Sequence, residues 1–279
     1  MQPTDINIIN IIIVIPVFRP TLSSDEKASL RQCLKVLGPH HDVALVCPDS
    51  LDTAAYDGAA AEKLRAERFK DSFFEGIEGY NRLMMSHTFY NRFSNYDWML
   101  VYQLDAWIFE DRLEEWCRKG YDYVGAPWFE NNESHETGWH LWRTGNGGLS
   151  LRRLEKFLRI TQSGCPLRVP RVIWSHRFRR KDGPRRRVSL VLGKRDMTVG
   201  QYMQQLSATW EDYFFCISLE GTSEALQLPS PEEAARFSVE RSPRWLVETV
   251  LRGQRPMGCH AWRKYQYEEF WKQYIKPEA

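Results

Sequence analysis

Apolar positions along this chain fall into short blocks separated by polar breaks marked with proline or glycine. Ile8 to Val17 is nearly continuous in β-branched residues and stops at Pro16-Val17-Phe18-Arg19-Pro20, which predicts a central strand. Ser23-Ser24-Asp25-Glu26 supplies cap-type residues for a helix over Lys27 to Leu37, where Leu30, Cys33, Leu34 and Leu37 recur at helical spacing before Gly38-Pro39. Val43 to Cys47 is a second short strand. Strand, helix and strand with short connections form a βαβ unit, so the pattern predicts an α/β fold built on a parallel sheet.

The most informative block is Tyr96 to Phe109. Trp98 to Leu104 is apolar or aromatic at every position except Gln103, as expected of a strand buried on both faces, and it runs into Asp105. A carboxylate at the end of a buried strand needs a partner, and in open α/β sheets ligands gather at the carboxyl ends of strands. Asp105 is therefore the first candidate functional residue; a helix cap or a structural arginine is its plainer use. Flanking it, the pattern predicts an edge strand within Glu62 to Phe74, a helix over Gly79 to Arg92, a helix over Asp111 to Lys119, and a strand from Tyr121 to Ala126 that ends at Pro127-Trp128. In the first of these helices, Asn81 and Arg82 face either a ligand or solvent.

Glu130 to Thr144 is a long polar and aromatic loop by pattern. It leads into Gly145-Asn146-Gly147-Gly148, where three glycines in four positions imply positive φ or a close backbone approach, at a strand-to-helix transition. Further on, Glu211 and Asp212 stand together ahead of an aromatic run. A helix N-terminus there would offset their repulsion, and one of them can act as a base. A short surface helix at Glu232 to Phe237, a late strand at Phe237 to Glu240 and an aromatic helix over Lys264 to Ile275 complete the pattern. His260 precedes that last helix, as a structural histidine or a ligand.

With 279 residues and 43% hydrophobic content the chain can bury a full core. The net charge of +2 conceals one basic block, Arg168 to Arg195, with eleven Lys or Arg in 28 residues. Such a block is either a solvated loop or a seat for an anionic partner, such as the phosphates of an acceptor lipid or an anionic membrane surface. Nucleic acid is not expected, because the basic residues are confined to one insert and no recognition motif accompanies them. The six cysteines form no Cys-x-x-Cys pair, which favours reduced thiols in a reducing compartment. No apolar run reaches the ~18 to 20 residues of a membrane span, and Ile6 to Val17 lacks the basic flank of a signal peptide. A cytoplasmic protein is expected, with peripheral contact at the inner membrane through the basic block.

The order of these motifs carries more than any one of them. A first strand ending in Pro-Val, a buried strand ending Leu-Asp-Ala, then Gly-Asn-Gly-Gly, Trp-Glu-Asp and Gly-Cys-His-Ala-Trp resemble the nucleotide-sugar-dependent glycosyltransferases of the GT-A fold. More closely, the chain resembles a bacterial family of GT-A-like domains with Tyr-Gln-Leu-Asp-Ala, Gly-Ala-Pro-Trp, Gly-Asn-Gly-Gly and Gly-x-His-Ala-Trp in this order. The resemblance covers roughly Ile8 to Trp262. It implies a Rossmann-type, mixed but mainly parallel sheet flanked by helices, in a single catalytic domain over 1–279 with a basic insert at about 168–195 and an aromatic helix at about 262–276.

It also implies site residues. In the GT-A class the mid-chain strand ends in an Asp-x-Asp element that holds a divalent cation on the donor's two phosphates. Here Asp105-Ala106-Trp107 keeps the first Asp and replaces the second by Trp, and an indole is no ligand for Mg²⁺ or Mn²⁺. Asp105 and His260 would hold the metal, completed by phosphates and water, or basic side chains would take its place. Pro16, Val17, Arg19, Asn81, Arg82, Asp105 and Trp107 are expected at the nucleotide-sugar donor, and Trp128, Asn146, Gly147 and Gly148 at the acceptor and sugar pocket. Asp212, beside Glu211, matches the base of inverting enzymes. The implied activity is transfer of a sugar, from a UDP-sugar, to a saccharide or lipid-linked acceptor in surface-polysaccharide or lipopolysaccharide assembly. The rival reading is a non-catalytic module that binds a glycan or a protein, with Trp107 as its stacking platform.

Overall fold

The computed structural model describes residues 9–130, 140–168, 196–205 and 210–277. The basic block lies outside the described residues apart from its first residue. The strands are β1 (Ile11–Pro16), β2 (Asp42–Pro48), β3 (Arg65–Phe69), β4 (Trp98–Tyr102), β5 (Trp107–Ile108), β6 (Tyr123–Val124), β7 (Pro127–Phe129), β8 (Leu141–Thr144), β9 (Leu149–Arg153), β10 (Pro166–Arg168), β11 (Asp196–Thr198), β12 (Ser238–Val239) and β13 (Gly258–Cys259). Six of them form the main sheet in the order β3-β2-β1-β4-β9-β6. The first four run parallel, and β9 is antiparallel to both β4 and β6. The architecture is thus mixed α/β with a mainly parallel central sheet flanked by helices.

Residues of β1 and β4 alternate between two apolar layers. Ile12, Val14, Met99 and Val101 enter one, and Ile11, Ile13, Ile15, Leu100 and Tyr102 enter the other, so the sheet is covered on both faces as its unbroken apolar strands require. Helix α1 (Ser24–Val36) begins with the expected capping box: Ser23 accepts from the Glu26 amide and Glu26 accepts from the Ser23 amide. Its Leu30 and Cys33 lie on the second layer. Its Ser29 hydroxyl donates to the Ala106 carbonyl at 2.7 Å, which ties the turn after β4 to the helix beneath it. Because β1 leads through α1 to β2 on one side while β4 lies on the other, the carboxyl ends of β1 and β4 form the topological switch point.

After α2 (Ala54–Ala60), the helix expected over Gly79 to Arg92 is two helices, α3 (Gly76–Met84) and α4 (His87–Asn91). Ser86 breaks the run by capping α4, accepting from the Phe89 amide at 3.2 Å. Helix α5 (Leu113–Arg118) forms as expected. The loop expected from Glu130 to Thr144 ends in β8, which pairs antiparallel with β7, so Pro127-Trp128 begins a hairpin arm. Helices α6 (Leu154–Thr161), α7 (Val199–Gln205) and α8 (Glu211–Tyr213, continuing as a π turn over Phe214–Ser218) cover the first layer. The expected surface helix is α9 (Pro231–Phe237), but its Ala234, Ala235 and Phe237 are buried.

The aromatic helix expected near 262–276 does not form. That stretch is a series of turns with one 3₁₀ turn at Trp271–Gln273, and Ala261 and Gln266 take left-handed backbone. Trp262, Phe270, Trp271 and Ile275 are nonetheless buried, in a third cluster against β5, β12 and β13. Burial of four large side chains at irregular spacing has overridden helix propensity. Among the described residues no helix is long and apolar enough to cross a membrane. All six cysteines are free thiols, five of them buried.

Candidate functional site

Two chains of contact meet at the carboxyl end of β4. The first begins with β5, β13 and β12. Strand β13 pairs antiparallel with β5, setting Cys259 opposite Trp107, and parallel with β12, setting Cys259 beside Val239. The next residue of each strand is thereby placed, so that His260 lies between Glu240 and the turn that holds Asp105. His260 Nε2 is 3.1 Å from Asp105 Oδ1 and 3.2 Å from Gln103 Oε1, and its Nδ1 is 3.2 Å from Glu240 Oε1. The imidazole is buried, whereas 55% of the Asp105 side chain is exposed, so the carboxylate is the open end of the group. Burial disfavours the imidazolium, but Asp105 and Glu240 outweigh it and raise the His260 pKa to about 10. Burial also pushes the Asp105 carboxyl up, and its hydrogen bond and charge contact with His260 reverse this, leaving it below the ordinary value.

The second chain runs through the glycines. Gln103 donates its amide to the Gly148 carbonyl at 2.8 Å, extending the β4–β9 ladder to the glycine segment. Gly147 donates its amide to Asp212 Oδ2 at 3.1 Å, and Asp212 Oδ1 accepts from the Tyr213 amide at 2.8 Å. Neither Gly147 nor Gly148 has a positive φ; Asn146 carries the left-handed conformation, with φ 63°. Glycine is required for space. A Cβ on Gly148 would overlap the His260 ring, and one on Gly147 would overlap Glu211 Oε1. The glycine pair therefore stands between the two halves of the site and brings both within reach of one backbone segment.

Glu211 and Asp212, adjacent in sequence, have different surroundings. Glu211 is buried and pairs through Oε1 with Arg152 at 2.9 Å. Asp212 is only partly buried, and desolvation followed by the neighbouring Glu211 charge raises its pKa to about 7. A partly exposed carboxyl poised near neutrality has the properties of a general base.

Not every expected residue joins this cluster. Asn81 does, but as a joint, since its side-chain oxygen accepts from the Glu211 amide at 3.0 Å. Its neighbour Arg82 donates to the Ser72 carbonyl instead. Trp107 is buried, its ring 5.7 Å from that of Trp262 and steeply inclined to it, so it offers no exposed stacking face. Pro16 and Val17 end β1 at the switch point, and exposed Arg19 pairs with Glu26. Asn146 is buried, its carbonyl taking the Tyr123 hydroxyl at 2.9 Å. The Trp128 ring lies where a Cβ on Gly145 would be, and stacks on Trp142 and Tyr213 at centroid distances of 6.3 and 6.1 Å.

Four residues of the cluster were missed by the site assignment made from sequence: Gln103, Tyr80, Arg152 and Glu240. Gln103 had a visible signal, as the one polar residue in a buried strand. Its Nε2 donates to the Tyr80 hydroxyl at 3.0 Å while its Oε1 faces His260. The side chains turned toward His260 after β4 are thus those of Gln103 and Asp105, two residues apart, with Trp107 in the core.

Among the described residues no group of three or more His, Cys, Asp or Glu could hold a metal ion. The donors that converge are one imidazole, one carboxylate and one amide oxygen. Ligands at ~2.0–2.1 Å in octahedral geometry lie ~3 Å apart, which matches the Asp105–His260 separation, and Glu240 on Nδ1 is the outer partner that metal-bound histidines use. The set fits a hard divalent cation that displaces the proton His260 otherwise holds on Nε2 and takes its remaining ligands from elsewhere.

A family profile matches residues 63–260, from just before β3 to the imidazole of this site. The chain belongs to that family, DUF5672, described as a protein of unknown function. The DUF5672 match takes in every residue of the cluster and leaves out Pro16, Val17 and Arg19. No curated protein matches the chain. Among solved structures the chain is similar to core-mannan synthase A from Aspergillus fumigatus in its Mn/GDP form, at 8% identity and a TM-score of 0.40, covering 74% of this chain and 71% of that one.

Proposed function

We propose that this protein is a glycosyltransferase that moves a sugar from a nucleotide-sugar donor to a saccharide or lipid-linked acceptor, with inversion. The observation that carries the reading is the convergence of Gln103, Asp105 and His260 with Asp212 across the Gly147–Gly148 pair, at the carboxyl end of β4. One half suits a diphosphate and the other a hydroxyl. In the Asp105-Ala106-Trp107 register that the resemblance implies, Trp107 lies in the core and Gln103 faces His260 instead, so Gln103, Asp105 and His260 are the residues that would hold Mn²⁺ or Mg²⁺. That ion, when bound, supplies positive charge to the departing diphosphate.

In the transfer, the acceptor O–H proton passes to Asp212 as the acceptor oxygen bonds to the anomeric carbon. The bond from that carbon to the nucleoside diphosphate breaks, and its electron pair leaves with the phosphate oxygen. Asp212 at a pKa of about 7 is half ionised at neutral pH and is returned to that state by proton loss to water. The family resemblance favours a UDP-sugar and a role in bacterial surface-polysaccharide assembly, and the basic block 168–195 suits anchoring at an anionic leaflet.

Calorimetric titration with UDP, with and without Mn²⁺, tests the reading. Micromolar, Mn²⁺-dependent binding that is lost in Asp105→Ala is expected, and Asp212→Asn should bind UDP normally yet transfer no sugar from a donor panel. Absence of UDP binding under both conditions would leave the non-catalytic module as the better account.

A further inference from the structure

Glu211 and Asp212 invite treatment as a pair of interchangeable acids, but the contacts around Glu211 are those of a fixed strut. Its Oε1 meets Arg152 at 2.9 Å, and Arg152 is itself fully buried. The guanidinium is further held by the Tyr90 hydroxyl at 2.9 Å and the Ser150 hydroxyl at 3.1 Å, and it lies over the Tyr123 and Phe157 rings. The Glu211 amide is anchored by Asn81 of α3. Gly147 packs directly on the Glu211 carboxylate, and its amide is the one that Asp212 accepts. Strand β9, helix α3 and helix α8 are thus locked together one residue before the open carboxyl.

We propose that Glu211 is a positioning residue, the centre of a buried Arg152–Glu211–Asn81 clamp that fixes Asp212 against the Gly147 amide and sets the Arg152-paired carboxylate beside it. The inference rests on Asp212 being the base of the proposed transfer. Burial, the larger cause, and the Glu211 charge together make Asp212 keep its proton to higher pH than an ordinary carboxyl and give it up only near neutrality, where a base is useful. The other groups that act around this carboxyl are Arg152 on β9, Tyr123 on β6, Tyr80 on α3 and Cys216 on the π turn after α8. Of these Arg152 alone carries a charge at neutral pH, and it is positive, so the upward electrostatic push comes from Glu211.

The test is the titration of Asp212 itself, followed by carboxyl ¹³C NMR of aspartate-labelled protein and assigned by the signal absent from Asp212→Asn. In the parent protein a midpoint near 7 is expected; an ordinary midpoint near 4 would overturn the proposal outright. Glu211→Gln should lower the midpoint by about one pH unit or more, because it removes the like charge and leaves Arg152 unopposed. Should that variant not fold, with a buried guanidinium left unpaired, Arg152→Met with Glu211→Gln replaces both charges at similar volume and is expected to fold and to show a lowered midpoint. A midpoint within ~0.3 unit of the parent's in either folded variant would reduce Glu211 to a packing residue. The measurement needs no donor. Silence toward UDP together with a shifted midpoint would sink the sugar-transfer reading and spare the clamp, and the opposite pairing would sink the clamp alone.

Discussion

Asp212 carries a stability cost that can be read with a pH meter. A carboxyl whose folded pKa lies above its unfolded value binds more protons in the native state between the two values, so stability falls as pH rises from about 4 to about 7. Asp212→Asn removes the group that must ionise. It should therefore stabilise the protein at pH 8, by roughly 1 to 3 kcal/mol, and the gain should shrink to near zero by pH 4. Chemical denaturation at the two pH values checks this. An equal effect at both would mean that Asp212 is an ordinary solvated carboxyl. The glycine pair offers a second residue-scale contrast. Gly148→Ala drives a methyl into His260 and is expected to weaken Mn²⁺ binding in the presence of UDP at least ~10-fold, whereas Gly147→Ala meets Glu211 instead and should leave that affinity within about twofold. Manganese titration of the two variants decides between them.

At the level of elements, what could be foreseen depended on whether the signal was local. Strand β4 announced itself because both of its faces are buried and every one of its residues is apolar or aromatic, up to Gln103 just beyond its end. The capping box of α1 and the space-demanding glycines were equally local. The Arg152–Glu211 pair was not, since 59 positions separate the partners and neither has a periodicity that points to the other. Nor could Glu240 be tied to His260 without the β12–β13 register. The C-terminal stretch shows the same limit: its aromatic residues looked helical, yet the surface they cover is shaped by β5, β12 and β13, and turns fit it better. That stretch should then owe much of its stability to packing. Trp271 is fully buried against Phe109, Phe270 and Tyr274, and its indole N–H has no hydrogen-bond partner among the described residues. Trp271→Ala should cost about 3 kcal/mol, toward the lower end for a buried Trp, because an unsatisfied donor leaves with the ring. A fall in urea midpoint at constant slope would register it; a loss under ~1 kcal/mol would mean that the stretch is not part of the cooperative core.

For the molecule as a whole, the question is whether the basic block serves the site or only its surroundings. Strands β10 and β11 pair antiparallel, with Arg168 opposite Asp196, so the chain leaves and returns at neighbouring points. Leu167 and Met197 between them are buried in the first core layer with Leu154 and Tyr202, which anchors the strand pair to the body of the fold. Residues 169–195 can therefore be exchanged for a two-residue Asn-Gly turn that suits an antiparallel pair. The two-residue turn keeps the β10–β11 register, so the shortened protein should be no less stable than the parent. Its net charge becomes negative, because the segment holds ten Lys or Arg and one Asp. Binding to vesicles containing anionic lipid, weakened by salt in the parent, should disappear in the exchanged protein, while its Mn²⁺-dependent UDP affinity stays within about threefold. If UDP affinity collapses instead, the donor phosphates are held by those arginines, and the contact of Asp105 with His260 is a structural ion pair with no metal to serve.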